Sequence, residues 1–338
     1  MGQAFALKVV ITDCEHGFID PEREILNAIG ADVVLHRCRT EQDVAGAAAD
    51  ADGLMVGYAP VTARVLDAAP RCRVVSRYGI GMDMVDIPAA TERGVVVTNV
   101  PDYCLDDVAD HAMALVLCLA RKLTQLDRAV RDGTAVKDGQ WNTLGLVRPV
   151  RRLGQQTLGI VGLGQIGRRV AQRARAFGMR VIAAPDPAVS PEQADGLGVT
   201  MLPLEGMLAE ADFVTLHCPL TPDTRGLINT RTIAMMKPTA VIVNTSRGPL
   251  VAEAALVEAL RSGRLAGAGL DVYEREPLAP HSPLSALPNV VLTSHAAWYS
   301  EEAIRDSKVK AAQAVADVLQ GRVPRYILNP AALAAGRK

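Results

Sequence analysis

Aromatic side chains are scarce in this sequence, at 4% of its 338 residues. A core of stacked rings is therefore excluded. Ala, Val, Leu and Gly dominate instead, and 49% of the chain is hydrophobic. That texture suits helices packed on parallel strands better than a β-sandwich. An excess of one charge is also missing. Thirty-six basic residues face 37 acidic ones, for a net charge of −1, so nothing points to a nucleic-acid or membrane partner. The cluster Arg148 to Arg152 is short enough to be a solvated loop. The six cysteines, Cys14, Cys38, Cys72, Cys104, Cys118 and Cys218, contain no CxxC pair. A disulfide framework and a zinc site are both excluded, and a reduced, cytoplasmic chain without a metal is expected. Long apolar runs are absent: the longest, Ala112 to Ala120, is about half the roughly 18 residues a membrane span needs. The opening "MGQAFALKVVITD" has neither a basic stretch nor a long apolar one, so no secretory signal is expected.

What is present is alternation. The length allows two domains. Short apolar runs at 7–12, 32–37, 53–57, 73–77 and 94–100 read as strands with helices between them, the first helix starting at Pro21 and stopping at Gly30. Strands separated by helices imply right-handed crossovers and a parallel sheet. Residues 106–122 then form a helix that is apolar almost all round, as expected of one buried between domains or between subunits. The polar stretch through Gly133, Trp141 and Gly145 reads as a linker-like lead into a second unit with strands at 157–161, 180–184, 212–218, 239–246, 267–272 and 289–295. A last helix, capped by Ser300 with Glu301 and Glu302 in its first turn, runs to about Gly321.

Strand 157–161 runs into Gly162-x-Gly164-x-x-Gly167, and a helix follows. Asp186 stands at the end of the next strand. This context raises GxGxxG above a chance match. Gly162 allows a tight turn, Gly164 lets a pyrophosphate approach the backbone, and Gly167 lets helix and strand pack closely. The N–H groups of Gln165 and Ile166 would hold the anion at the helix N-terminus. Asp186 would bind an adenosine ribose and repel a 2′-phosphate, favouring NAD over NADP.

Three polar residues follow the last three apolar runs. "VIVNTSRG" delivers Arg247, "GLDVYEREP" delivers Asp271 and Glu276, and "VVLTSH" delivers His295. A histidine beside an apolar run is ordinarily a core residue. Here parallel strands would bring a cation, an acid and a histidine to the sheet edge where ligands bind. Such a set suits hydride transfer at a carbon bearing a hydroxyl. His295 would move the hydroxyl proton. Glu276 would hold the imidazole in one tautomer and favour its charged form. Arg247 would grip a carbonyl and an adjacent carboxylate with two parallel hydrogen bonds. A 2-hydroxy or 2-oxo acid is the natural substrate. Asp271 is expected to accept a hydrogen bond from the nicotinamide amide.

Together, "GIVGLGQIG", "DFVTLHCPLTPDTRGLI", "VNTSRGPLV", "GAGLDVYEREP" and "TSHAAW" resemble the D-isomer-specific 2-hydroxyacid dehydrogenase family over essentially the whole chain. The resemblance implies an α/β protein of two Rossmann-like or flavodoxin-like parallel-sheet domains. These would be an NAD-binding domain at 104–298 and a discontinuous substrate domain at 1–103 and 299–338. It implies Arg247, Glu276 and His295 as the catalytic trio. Gly162, Gly164, Gln165, Ile166, Gly167, Asp186, His217, Cys218, Pro219, Thr224, Thr245, Ser246 and Asp271 would form the cofactor shell. A homodimer joined through the nucleotide-binding domains is implied as well. In "SRYGIGMDMVD", the N–H groups of Ile80 and Gly81 would hold the substrate carboxylate. "HAAWYSEEA" and Arg77 resemble more narrowly the C-terminal-binding proteins, a branch that includes NADH-responsive corepressors. Trp298 would then wall the substrate pocket and Arg77 would add a second cation. Pro185, before Asp186, departs from the aromatic or polar residue often found there. No regulatory domain is expected after residue 338. Two other functions stay open: an NADH-sensing binding protein, and an oxidoreductase acting on a phosphonate or phosphite.

Overall fold

The computed structural model describes residues 7–14, 17–187 and 189–335. The chain divides into two compact units, Met1–Cys104 with Ser300–Lys338, and Leu105–Tyr299. The boundaries lie one residue beyond those expected from the sequence.

In the first unit, the valine-rich runs β1 (Leu7–Ile11), β2 (Ala31–Leu35), β3 (Gly53–Val56), β4 (Val74–Arg77) and β5 (Val96–Thr98) form one parallel sheet in the order β2-β1-β3-β4-β5. Near-continuous burial of β3, β4 and β5 is what a sheet covered on both faces requires. Helix Asp20–Asn27 carries Pro21 at its start, and Gly30 turns the chain at φ +76°. Helix Glu301–Leu319 returns from the far end of the sequence to cover the sheet, with Ala311, Ala312, Val315 and Ala316 in the core. Ser300 caps it by accepting from the Ala303 N–H at 3.0 Å.

One charge pair lies inside this unit. Lys308 and Glu22 are both fully buried, with Nζ 2.9 Å from Oε1. The ammonium also donates to the Phe18 carbonyl at 2.7 Å, and the Tyr78 hydroxyl donates to the same Glu22 oxygen at 2.9 Å. Such a pair ties the two helices and the β4 end together.

In the second unit, a short antiparallel hairpin, β6 (Val136–Lys137) and β7 (Gln140–Trp141), precedes a seven-stranded parallel sheet. Its strands are β8 (Thr157–Val161), β9 (Arg180–Ala183), β10 (Thr200–Met201), β11 (Phe213–Leu216), β12 (Val241–Asn244), β13 (Gly267–Leu270) and β14 (Val290–Leu292). The order β10-β9-β8-β11-β12-β13-β14 reverses direction at β8, and the glycine loop leaves the sheet at this switch point.

Two readings of the sequence need correction here. Helix Leu105–Ala120 is not apolar all round. Its buried stripe, including Ala112, Leu115 and Val116, lies on its own unit's sheet. A Cβ on Gly269 would meet the Leu115 Cβ at 3.0 Å, so the glycines of β13 permit the close approach. Its outer face carries Asp106 and Asp110, paired with Arg169 and Arg173. The stretch expected to be linker-like is ordered as helix Leu123–Arg131, the hairpin and helix Thr143–Val147. Its turn residues are those of a hairpin, with Asp138 at φ +53° and Gly139 at φ +75°. No helix among the described residues is long and apolar enough to cross a membrane.

Replacing Lys308 by Met strands the Glu22 carboxylate in the interior. Urea unfolding should show a loss of about 3–5 kcal/mol. A loss below about 1 kcal/mol would contradict the paired arrangement.

Candidate active site

The three glycines of the loop after β8 are needed for three different reasons. Gly162 sits at φ +92°, and a Cβ on it would lie 2.5 Å from the Cys218 N, so both conformation and crowding demand glycine. Gly167 has an ordinary helical backbone, but a Cβ there would run into the Gly162 carbonyl oxygen. Gly164 needs neither: φ is −70°, and a Cβ would meet nothing within 4 Å. Its bareness leaves open space at the N-terminus of helix Gln165–Ala176. No side chain caps that end, and the first-turn N–H groups of Gln165 and Ile166 have no intrahelical acceptor. Asp186, at the end of β9, accepts from the Leu163 N–H at 2.9 Å and so stands against the loop.

The far wall of this cradle comes from β11 and β12. The His217 N–H donates to the Val161 carbonyl at 2.7 Å, and its ring lies 2.9 Å from the Thr215 hydroxyl. Burial pushes the His217 imidazole down to about 4, so it is neutral near pH 7. Burial, with Asp186 nearby, pushes the Cys218 thiol up to about 11, so it stays protonated. The Ser246 hydroxyl donates to the Cys218 carbonyl at 2.8 Å. Thr224 uses its hydroxyl within its own turn, on the Pro219 carbonyl at 2.7 Å. The Thr245 hydroxyl is buried without a hydrogen-bond partner, an orphan that calls for a ligand. An open glycine cradle, an uncapped helix end, a carboxylate beside the loop and an unsatisfied hydroxyl together fit a dinucleotide. Among the described residues, no cluster of His, Cys, Asp or Glu could hold a metal ion.

At the neighbouring strand ends, Arg247, Glu276 and His295 follow β12, β13 and β14, which are adjacent and parallel. The His295 Nδ1 is 2.6 Å from the Glu276 Oε2, and the other oxygen of Glu276 accepts from the Tyr273 N–H at 3.0 Å. Burial pulls the Glu276 carboxyl up. The hydrogen bonds from His295 and Tyr273 and the charges of His295 and Arg247 outweigh it and hold the group below its usual value. The depressed carboxyl contributes fully above its unfolded value, and the contribution is lost as pH falls through the lowered one. With Nδ1 on Glu276, Nε2 is the nitrogen that would meet a reacting oxygen. Arg247 is half-buried and donates to the Ser246 carbonyl at 2.8 Å.

Asp271, the residue expected to meet the nicotinamide, also has partners within the protein. It is wholly buried. Its carboxylate accepts from the Thr293 hydroxyl at 2.5 Å and from the N–H groups of Ala296 and Ala297, each at 2.9 Å. Its observed contacts thus brace the turn that carries His295. Trp298 meets Tyr299 edge to face at 5.9 Å. In the first unit, Arg77 is buried, donates to the Gly57 carbonyl at 3.3 Å and lies 5.6 Å from the Tyr58 ring centre. The Ile80 carbonyl accepts from Asn99 at 2.9 Å, and no backbone hydrogen bond among the described residues uses the N–H of Ile80 or Gly81. Sequence reading missed Tyr273, Thr293 and His111, which contact the turn that carries His295 or its supports. The first two stand inside the quoted motifs, whereas nothing in the helix pattern singles out His111.

Comparison with known proteins agrees. Residues 113–297 match the family described as D-isomer specific 2-hydroxyacid dehydrogenase, NAD binding domain. The chain is 42% identical over 278 residues to the glyoxylate reductase of Korarchaeum cryptofilum, across 80% of each protein. It is 37% identical over 325 residues to the D-3-phosphoglycerate dehydrogenase of Methanocaldococcus jannaschii, across 96% of this chain but only 59% of that one. The chain thus spans little more than half the length of that relative. The D-lactate dehydrogenase of Aquifex aeolicus, solved with NAD and lactic acid, superposes with a TM-score of 0.83 at 26% identity, over 95% of this chain and 99% of that one. The chain belongs to the D-isomer specific 2-hydroxyacid dehydrogenases. It is an NAD-dependent oxidoreductase acting on 2-hydroxy acids.

Gly164→Asp separates binding from folding. Aspartate is a good helix N-cap and has room, so the melting temperature should hold. Its carboxylate would occupy the anion cradle, and fluorescence titration should show NADH binding weakened by about tenfold or more. Gly167→Ala should instead lower the melting temperature through overpacking, at a cost of about 1–3 kcal/mol.

Proposed function

We propose that the protein is a D-2-hydroxyacid dehydrogenase that works as a 2-oxoacid reductase, with His295 as acid and base, Glu276 as its partner and Arg247 as the substrate clamp. One observation carries this reading: the 2.6 Å contact of His295 with Glu276, placed with Arg247 at three adjacent parallel strand ends. The dinucleotide, when bound, supplies or takes the hydride.

The rest falls to the chain's own residues. Gln165 and Ile166 would hold the pyrophosphate, Asp186 the adenosine ribose, and Thr245 a hydrogen bond in the cradle. Pro219, His217, Cys218 and Ser246 would line its wall. Arg247 would bind the carbonyl oxygen and the carboxylate of the 2-oxo acid, stabilising charge that develops on the oxygen. His295 would give its Nε2 proton to that oxygen in reduction and take it back in oxidation. Glu276 would keep the ring aimed and offset its positive charge. From the first unit, we assign the free backbone N–H groups of Ile80 and Gly81, with Arg77, to the acid group of the substrate. Trp298 is assigned to substrate contact. The narrower likeness to the C-terminal-binding proteins rests on Arg77 and the stretch after His295, and the proposal does not depend on it.

A homodimer is part of the proposal. Leu123, Val130, Val136, Trp141 and Leu144 are each about half exposed or more, on one continuous stretch of the second unit. An apolar stretch of this kind marks an interaction site. The absence of disulfides among the described residues, with six free cysteines, suits the cytoplasm.

The test is NADH oxidation with glyoxylate, pyruvate, hydroxypyruvate, larger 2-oxo acids and phosphonopyruvate. The wild type should turn over at least one of the carboxylates. His295→Gln should lose about two to four orders of magnitude in kcat while NADH binding holds. Turnover of none, with NADH binding intact, would favour a sensor or a phosphonate or phosphite substrate instead. A Trp141→Glu, Leu144→Glu double variant should sediment as a monomer where the wild type sediments as a dimer.

A further inference from the structure

The reactive histidine stands on a backbone that does not hold itself. His295 has φ +55°, in the left-handed region that residues with a Cβ avoid. Its ring is aimed only as long as something outside the turn keeps it there. The turn from Thr293 to Ala297 is fastened on three sides.

From β13, the Asp271 carbonyl accepts from the His295 N–H at 2.8 Å, and the Asp271 carboxylate takes three donors from the same turn. From the following loop, the Tyr273 hydroxyl donates to the Thr293 carbonyl at 2.6 Å. The Tyr273 N–H donates to the Glu276 carboxylate at 3.0 Å. Tyr273 therefore fastens both ends of the His295–Glu276 pair: the histidine's turn through its side chain, the carboxylate through its backbone. Burial pushes its phenol up to about 12, so the donor persists through the working pH range.

The third fastening comes from helix Leu105–Ala120. The His111 Nε2 lies 3.0 Å from the Thr293 hydroxyl oxygen and 3.7 Å from the Asp271 carboxylate. An ionised carboxylate only accepts, so the Thr293 proton goes to Asp271 at 2.5 Å. The hydroxyl oxygen must then accept from His111, which places that ring's proton on Nε2. His111 and Thr293 thus form a directed chain that ends on the Asp271 carboxylate, which also accepts from the N–H groups of Ala296 and Ala297 in the same turn.

We propose that Tyr273 and His111 are positioning residues for the acid–base pair, holding the left-handed turn and the alignment of His295 with Glu276 without touching substrate. The proposal rests on the reading of His295 as acid and base.

The test uses the full-length protein and the 2-oxo acid of the panel that the wild type reduces fastest. Tyr273→Phe removes one oxygen atom. Its kcat should fall about tenfold or more, while KM and the NADH dissociation constant stay within about twofold, because misalignment of a proton donor costs rate rather than binding. His111→Leu should behave likewise, and His111→Gln, which keeps a side-chain donor, should recover most of the rate. The His111 pair carries the test should Tyr273→Phe not fold. A merely structural role would lower melting temperature or raise KM without a selective loss of kcat, and Gln would not rescue; that result overturns the proposal. So does full activity of both Tyr273→Phe and His111→Leu. A separate control keeps the two readings apart. If His295→Gln retains wild-type turnover, or the wild type reduces none of the panel, the acid–base reading itself has failed.

Discussion

The hydrogen bond between the His295 Nδ1 and the Glu276 carboxylate is the contact on which the site depends. In the proposed reaction it would fix which nitrogen faces the substrate and place a negative charge behind the ring that moves the proton. Neither partner lies in a regular element. Both come from loops, so the order of the site has to be imported from the strands below and from the helix beside them. Parallel β12, β13 and β14 deliver the three residues to one edge. Asp271, buried at the end of β13, then spends its carboxylate on the turn rather than on solvent or surface contacts.

The same economy explains the cofactor cradle. One glycine answers a positive φ, one a carbonyl oxygen that leaves no room for a methyl group, and one no protein contact at all. Only the last is explained by a ligand. The unsatisfied Thr245 hydroxyl in the neighbouring wall is the second sign of the same ligand. Charge follows suit: His217 is kept neutral and Cys218 protonated by burial, so neither competes with Arg247 as a charged group.

Much of this was legible in the sequence, because local chemistry dictated it. The alternation of apolar runs and helices marked every strand of the first sheet and all of the second except the two-residue β10, and the spacing of Gly162, Gly164, Gly167 and Asp186 marked the switch point. Arg247, Glu276 and His295 were legible as strand-end polar residues. What was not legible depends on long-range contact. Helix Leu105–Ala120 looked apolar all round because Asp106 and Asp110, which meet Arg169 and Arg173, stand out only against a partner some 60 residues away. Asp271 was legible as a carboxylate at a strand end, but its second use within the protein was not. Its capture by Ala296 and Ala297 follows from the left-handed backbone at His295, which no propensity announces. The hairpin through Asp138 and Gly139 carried its own turn signal, but two-residue strands offer no apolar period to read.

The most direct measurement is the pH dependence of kcat/KM for 2-oxoacid reduction, wild type against Glu276→Gln. Reduction needs a proton on His295, so activity should fall as pH rises. Removing the carboxylate takes away the partner that orients the ring and offsets its charge, so kcat/KM should fall about tenfold or more at every pH while NADH affinity holds. A variant that keeps wild-type kcat/KM across the pH range, at comparable NADH affinity, would mean that the His295–Glu276 contact does not govern proton delivery, and the account would be wrong at its centre.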